Sequence, residues 1–340
     1  MKMKYNKISL FVLWLFVLLA IIIQTSVFIS HEQNIYYWDF NGYWRMWKEF
    51  CVTFPNEPIN SIRTVFHSVR HDDYNSLPVA LTSWFYLFDL PSRLSYIISL
   101  TVMYLFPTVI LFHLLCKRFS DNISLGWLLL TCILPLTFVA FWAPTLKGYP
   151  DISGLIPIIA ALLYVSNNDL GDKVRIKKAL LTGLLLWSPF LLRRWYAYTV
   201  VSLYLSLPVL NYFIYNNAKH SFGRVIITIK NFFTAGIFSV LLTLIFQGAL
   251  IRRIIETDYA TIYSAYQSSL AYSIENLYNH IGLYLLPFII IGLLSVFWMK
   301  DRNGKFLVIF SAFNLSLVSF CLRERKVPAY SIAYHLLFGP

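Results

Sequence analysis

The sequence predicts an all-α polytopic membrane protein of about nine to ten transmembrane helices, with a large first extracytoplasmic loop carrying interfacial helices. Three observations carry that prediction. Only 13% of the 340 residues are charged while 58% are hydrophobic, and the mean hydropathy is +0.62. A soluble domain carries about 25% charged residues, and soluble monomers avoid the apolar surface this composition would expose. Apolar runs long enough to cross a bilayer recur along the chain, and lysines gather between alternate runs. A secreted globule, a nucleic-acid-binding module and a cytosolic enzyme are all excluded.

The first run, 8–29, follows a basic start at Lys2, Lys4 and Lys7. It is longer than the core of a signal peptide and ends in a poor cleavage site, so it reads as a retained first helix. Further spans are expected at 94–116, 123–142, 152–165, 179–192, 196–214, 231–250, 281–299 and 306–321, and a last helix starts near Ser331. The whole of 1–340 reads as one transmembrane domain, with residues 30–93 as its outer loop.

Placing the N-terminus inside puts 11 of the 14 lysines on the inner face and 10 of the 14 arginines on the outer face. Lysine serves well as a point charge that sets orientation. Arginine's planar fork instead matches phosphate and carboxylate oxygens in pairs. The outer face also carries 12 of the 16 acids, seven of them in 30–93. Arginine and acid together on one face point to a site. The four cysteines are far apart and read as free thiols.

In the outer loop, Tyr36, Phe40, Tyr43 and Trp47 share one helical stripe. The expected form is an amphipathic helix in the headgroup plane, with Asp39 at the border of its aromatic face. A carboxylate there suits a proton acceptor. Next comes Arg70-His71-Asp72-Asp73-Tyr74-Asn75-Ser76-Leu77-Pro78, read as a turn that opens a helix at Pro78. Its acids suit sugar hydroxyls or a cation, with a capping turn as the plainer alternative. His67 and His71 stand four apart but lack a third metal ligand fixed by the sequence. Three more outer elements follow: Lys147-Gly148-Tyr149-Pro150-Asp151, the charged break Arg193-Arg194-Trp195-Tyr196, and Arg323-Glu324-Arg325 with Tyr334-His335 beyond it. Snorkelling to lipid headgroups is the plain alternative for the arginine pair.

Taken in order, these motifs resemble the GT-C type integral-membrane glycosyltransferases, which use polyprenyl-phosphate sugars, among them bacterial enzymes that decorate O-antigen and other envelope glycans. The resemblance implies transfer of a sugar from a polyprenyl-phosphate donor to a glycan or lipid-linked acceptor. It places the chain in the inner membrane with its site on the periplasmic face. Asp39, Asp72 and Asp73 would be catalytic, and Arg193, Arg194 and Arg325 would hold the donor phosphate. Tyr149, Asp151, Tyr196 and His335 would bind substrate. No cofactor and no nucleic acid are implied, with a divalent metal as the alternative. Phe40 stands where many relatives have a second acid beside the first aspartate, and relatives continue with more spans beyond Pro340. An O-antigen ligase or polymerase, or a lipid or solute transporter, are the competing classes. The ligase places its arginines in a late outer loop, and transporters carry charges deep in their spans.

Overall fold

The computed structural model describes residues 7–32, 38–88, 92–119, 125–215 and 222–257, with single positions at 275, 287 and 291. The expected spans at 281–299 and 306–321, the helix from Ser331, and the residues Arg325 and His335 lie outside the described residues. Every regular element described is helical. Four helices are long and apolar enough to cross a membrane: Leu10–Ser30, Ser92–Phe119, Arg194–Tyr215 and Phe222–Glu256. Contacts divide the chain into two compact units, Met1–Ile156 and Pro157–Pro340.

In the first unit, α1 (Lys7–Ser30) shows Phe11, Leu15, Phe16 and Ile23 outward while burying Val17, Ile21 and Thr25. That spacing of four is one narrow helix face, and it lies against the helices of the 92–119 span. In the outer loop come α2 (Trp38–Thr53), α3 (Pro58–His71) and the single turn α4 (Leu77–Ala80). α2 buries Tyr43, Trp47 and Cys51, again four apart.

Here the structure corrects the sequence. Of the expected stripe, Tyr43 and Trp47 face protein, with Trp47 ringed by Tyr86 at 6.1 Å and Tyr96 at 5.6 Å, and Tyr43 by Tyr74 at 6.3 Å; Tyr36 lies outside the described residues. Burial pushes the Cys51 thiol up to about 12, so it stays protonated and inert.

The second span is α5 (Ser92–Leu100), a π-helical turn (Thr101–Leu105) and α6 (Phe106–Phe119). Pro107 follows that turn. A proline ring would collide with the carbonyl four residues back, and the wider turn relieves it. The single span expected at 123–142 is broken into α7 (Leu125–Thr137) and α8 (Val139–Lys147), whose axes bend by 59°. Phe138 between them is extended, and Pro135 and Pro144 interrupt the two hydrogen-bond ladders.

The second unit is built on α10 (Ile176–Leu192), α11 (Ala197–Tyr215) and α12 (Phe222–Glu256), which follow the short α9 (Leu155–Asn167). α10 lies so close to α12 that a β-carbon on Gly183 would stand 2.5 Å from the Ala235 carbonyl oxygen. Only glycine allows that approach. α12 is polar within and apolar without: Thr228, Asn231, Ser239 and Gln247 are buried, while Ile229, Phe233, Val240 and Ile245 are exposed. Water would impose the reverse order; hydrocarbon favours this one.

The connection between α9 and α10 is tied down by two asparagines. Asn211 Nδ2 donates to the carbonyls of Val165 and Asn168, both at 2.8 Å, and its oxygen accepts from the Leu170 amide. Asn231 Nδ2 donates to the carbonyls of Leu170 and Lys173, and its oxygen accepts from the Arg175 amide. Arg224 closes the segment with a two-oxygen grip on Asp169 at 2.8 and 2.9 Å.

Candidate functional site

Asp39 stands in the first turn of α2, where free amide groups favour a negative side chain. The preceding Trp38 is exposed and has a φ of 62°. That left-handed value costs a bulky residue on the order of 1 kcal/mol, and such strain gathers at functional positions. Among the described residues Asp39 makes no hydrogen bond and no ion pair. Its neighbour Phe40 packs edge-on against Tyr149, with ring centroids 5.6 Å apart. This contact joins the start of α2 to the segment after α8.

That segment is held from three sides. Gly148 turns the chain with a φ of 102°, and its carbonyl accepts from the Tyr96 hydroxyl at 2.7 Å. The Lys147 carbonyl accepts from Arg93 at 3.1 Å. Arg93 is in turn gripped by both oxygens of Glu32, at 3.0 and 3.3 Å, and its guanidinium lies 5.5 Å from the Trp44 ring. The Arg93 and Glu32 side chains are only 9% and 2% exposed, so this is a buried ion pair. It joins the end of α1, the start of α5 and the 147–151 turn.

The turn delivers Asp151, which opens a short 3-10 helix (Asp151–Gly154). One of its carboxyl oxygens is sealed from solvent. Burial, and then the charge of Asp39, raise its pKa to about 7. The Asp39 charge thus reaches a buried second carboxyl group, and interacting carboxyl pairs are a common way to divide acid and base roles.

Asp72 and Asp73 stand elsewhere. Asp72 ends α3, donating its amide to the Ser68 carbonyl, and Asn75 accepts from the Leu77 amide. The capping turn is therefore real, and Pro78 lies in the first turn of the next helix. Asp72 lines a cleft of about 250 Å³ with Glu49, Thr53, Glu57 and Ser61. Those α2 residues begin ten positions beyond Asp39, about 15 Å along the helix. His67 and His71 stack at 4.5 Å. No group of three His, Cys, Asp or Glu able to hold a metal occurs among the described residues.

In the second unit α10 ends at Leu192; the Arg193 amide caps it by donating to the Pro189 carbonyl, and Arg193 itself is extended. A three-residue turn (Arg194–Tyr196) then starts α11. Arg193 and Arg194 are 3% and 7% exposed, and Arg194 lies 4.5 Å over the Trp195 ring. Both guanidinium groups are thus largely covered by protein. Gln247, at a kink in α12, accepts from the Trp187 indole and donates to the Phe190 carbonyl, bracing the helix that ends in this pair. From Phe190 and Ala197 an apolar groove of about 750 Å³ runs between α10, α11 and α12, past Val201, Tyr204 and Phe233.

Asp39, Tyr149 and Asp151 thus meet in the first unit, and Arg193, Arg194 and Tyr196 meet in the second. Glu32 and Arg93 are the residues that sequence reasoning missed as site components. A glutamate just past one apolar run and an arginine at the start of the next are the signal that could have found them. The chain matches no family model, and neither a curated protein nor a solved structure is similar to it.

Proposed function

We propose that this chain is a polytopic membrane glycosyltransferase that takes a sugar from a polyprenyl-phosphate donor and passes it to a glycan or lipid-linked acceptor on the outer membrane face. The observation that carries this reading is a buried pair, Arg193 and Arg194, in the chain between Phe190 and Ala197, which both line the apolar groove. Residues lining that groove reach from Ile229 to Ile251 on α12, a run of about 30 Å at 1.5 Å per residue. That is the thickness of a hydrocarbon core. A long apolar chain ending in a phosphate meets both halves of this arrangement, the groove by burial and the arginine forks by charge.

In the reaction, an acceptor hydroxyl attacks the anomeric carbon. Its oxygen forms the new glycosidic bond, and the bond from that carbon to the phosphate oxygen breaks. The electrons leave with the lipid phosphate. Arg193 and Arg194 stabilise the negative charge that grows there. Asp39 takes the hydroxyl proton.

The experiment is donor binding and transfer in reconstituted membranes. Arg193→Ala and Arg194→Ala each remove one fork and should weaken donor binding by about tenfold or more, since a hydrogen bond to a charged group is worth about 1.5–3 kcal/mol. Lysine at either position should restore part of the loss. Unchanged donor kinetics in both alanine variants would refute the phosphate role.

A further inference from the structure

We propose that Asp151 is a proton-relay residue, receiving from Asp39 the proton that leaves the acceptor hydroxyl. This rests on the transferase reading above. The arrangement that suggests it is a carboxyl group brought to the base by a turn with almost no freedom to move. The Phe40 and Tyr149 rings pack edge to face at 5.6 Å, which brings the start of α2, carrying Asp39, to the turn that carries Asp151, and the Asp39 charge acts on Asp151. Behind this contact, Tyr96 and Arg93 hold the carbonyls of Gly148 and Lys147, and Glu32 holds Arg93.

The proton balance favours the relay. With both carboxyl groups ionised, the Asp39 charge adds to burial in favouring the protonated form of Asp151. One proton relieves that repulsion. When the acceptor O–H bond breaks, the proton goes to Asp39 and then to Asp151, and it is released to water when the products leave. No oxidant, metal or second nucleophile is needed. The titratable groups that interact with Asp151 are Asp39 from α2 and Tyr96 from α5, and Arg93 acts in turn on Tyr96. Burial and the Asp39 charge raise the proton affinity of Asp151, and the group titrates near 7.

The sign of the pH effect follows. The pair must enter the reaction without its proton, so the transfer rate should rise about tenfold per pH unit below 7 and level off above it. The test is the pH–rate profile of the full chain in membranes, run beside infrared titration of the carboxyl C=O band. Asp151→Asn should lose the limb near 7, slow transfer on the order of 10²-fold at pH 8, and keep donor binding. It should also lose a protonated-carboxyl band that titrates near 7 in the wild type. Asp151→Glu should keep the limb at reduced rate. A purely structural role would lower the rate without moving the limb. An active wild type whose limb survives in Asp151→Asn overturns the relay alone. A wild type that transfers no sugar from any polyprenyl-phosphate donor overturns the transferase reading and the relay with it.

Discussion

Gly148→Ala is the sharpest test of how the outer site is built. Gly148 has a φ of 102°, where a β-carbon crowds the backbone; leaving the right-handed region costs other residues about 1–2 kcal/mol. The added methyl would also stand 2.8 Å from an Arg93 guanidinium nitrogen and 3.2 Å from the Tyr96 ring. Neither neighbour yields easily, because Arg93 is bound to Glu32 and Tyr96 to the Gly148 carbonyl itself. Forcing a methyl into a packed site costs about 1–3 kcal/mol, giving roughly 2–5 kcal/mol in total. In thermal unfolding followed by tryptophan fluorescence, each kcal/mol lowers Tm by about 2–4 °C for a chain of this size class. A drop of about 5 °C or more is expected. Gly42→Ala is the control of opposite sign. Nothing lies within 4 Å of its β-position, and alanine in a helix interior gains about 0.5–1 kcal/mol over glycine. A Gly148→Ala protein that melts with the wild type would refute the locked turn, and with it the placement of Asp151.

Two further outcomes are expected. Removing one partner of the buried Glu32–Arg93 pair, as in Glu32→Gln or Arg93→Met, should cost about 3–5 kcal/mol, while the double variant should cost clearly less than the sum. Strict additivity in thermal or chemical denaturation would show that the two side chains do not depend on each other. Asp39→Asn keeps the shape of the side chain but cannot take a proton, so transfer should fall on the order of 10²–10⁴-fold with membrane insertion unchanged; normal glycan modification by this variant would move the base role to another carboxylate.

The long spans were legible because apolar length is a one-dimensional property. The sequence places the first at 8–29 and the structure at Leu10–Ser30; the second is 94–116 against Ser92–Phe119. The break between α7 and α8 was written in Pro135 and Pro144, but hydropathy alone runs straight through it. Periodicity showed that Tyr43 and Trp47 share a face, yet it says nothing of what that face meets. Lipid and protein both accept aromatic rings, and here Tyr86 and Tyr96 occupy the place expected of the headgroups. Asp39 and Asp151 could each be picked out as isolated outer acids. That they meet depends on the Phe40–Tyr149 contact, which links positions more than a hundred residues apart. The Glu32–Arg93 pair, 61 residues apart, lay beyond local patterns for the same reason.

The segment held by Asn211 and Asn231 looks in the sequence like a disposable linker, Ser166-Asn167-Asn168-Asp169-Leu170-Gly171-Asp172. Its carbonyls are instead fastened to the sides of two separate helices. Just beyond stand Lys173, Arg175, Lys177 and Lys178, the cations expected on the inner face. Those cations are thus mounted at a fixed height instead of trailing on a tether. A protease site or epitope tag spliced between Asn168 and Lys173 would have to tear several amide bonds from helix sides, so this connection should tolerate insertion worse than its polar composition suggests. A connection that its composition marks as a linker is, in the fold, a brace between helices.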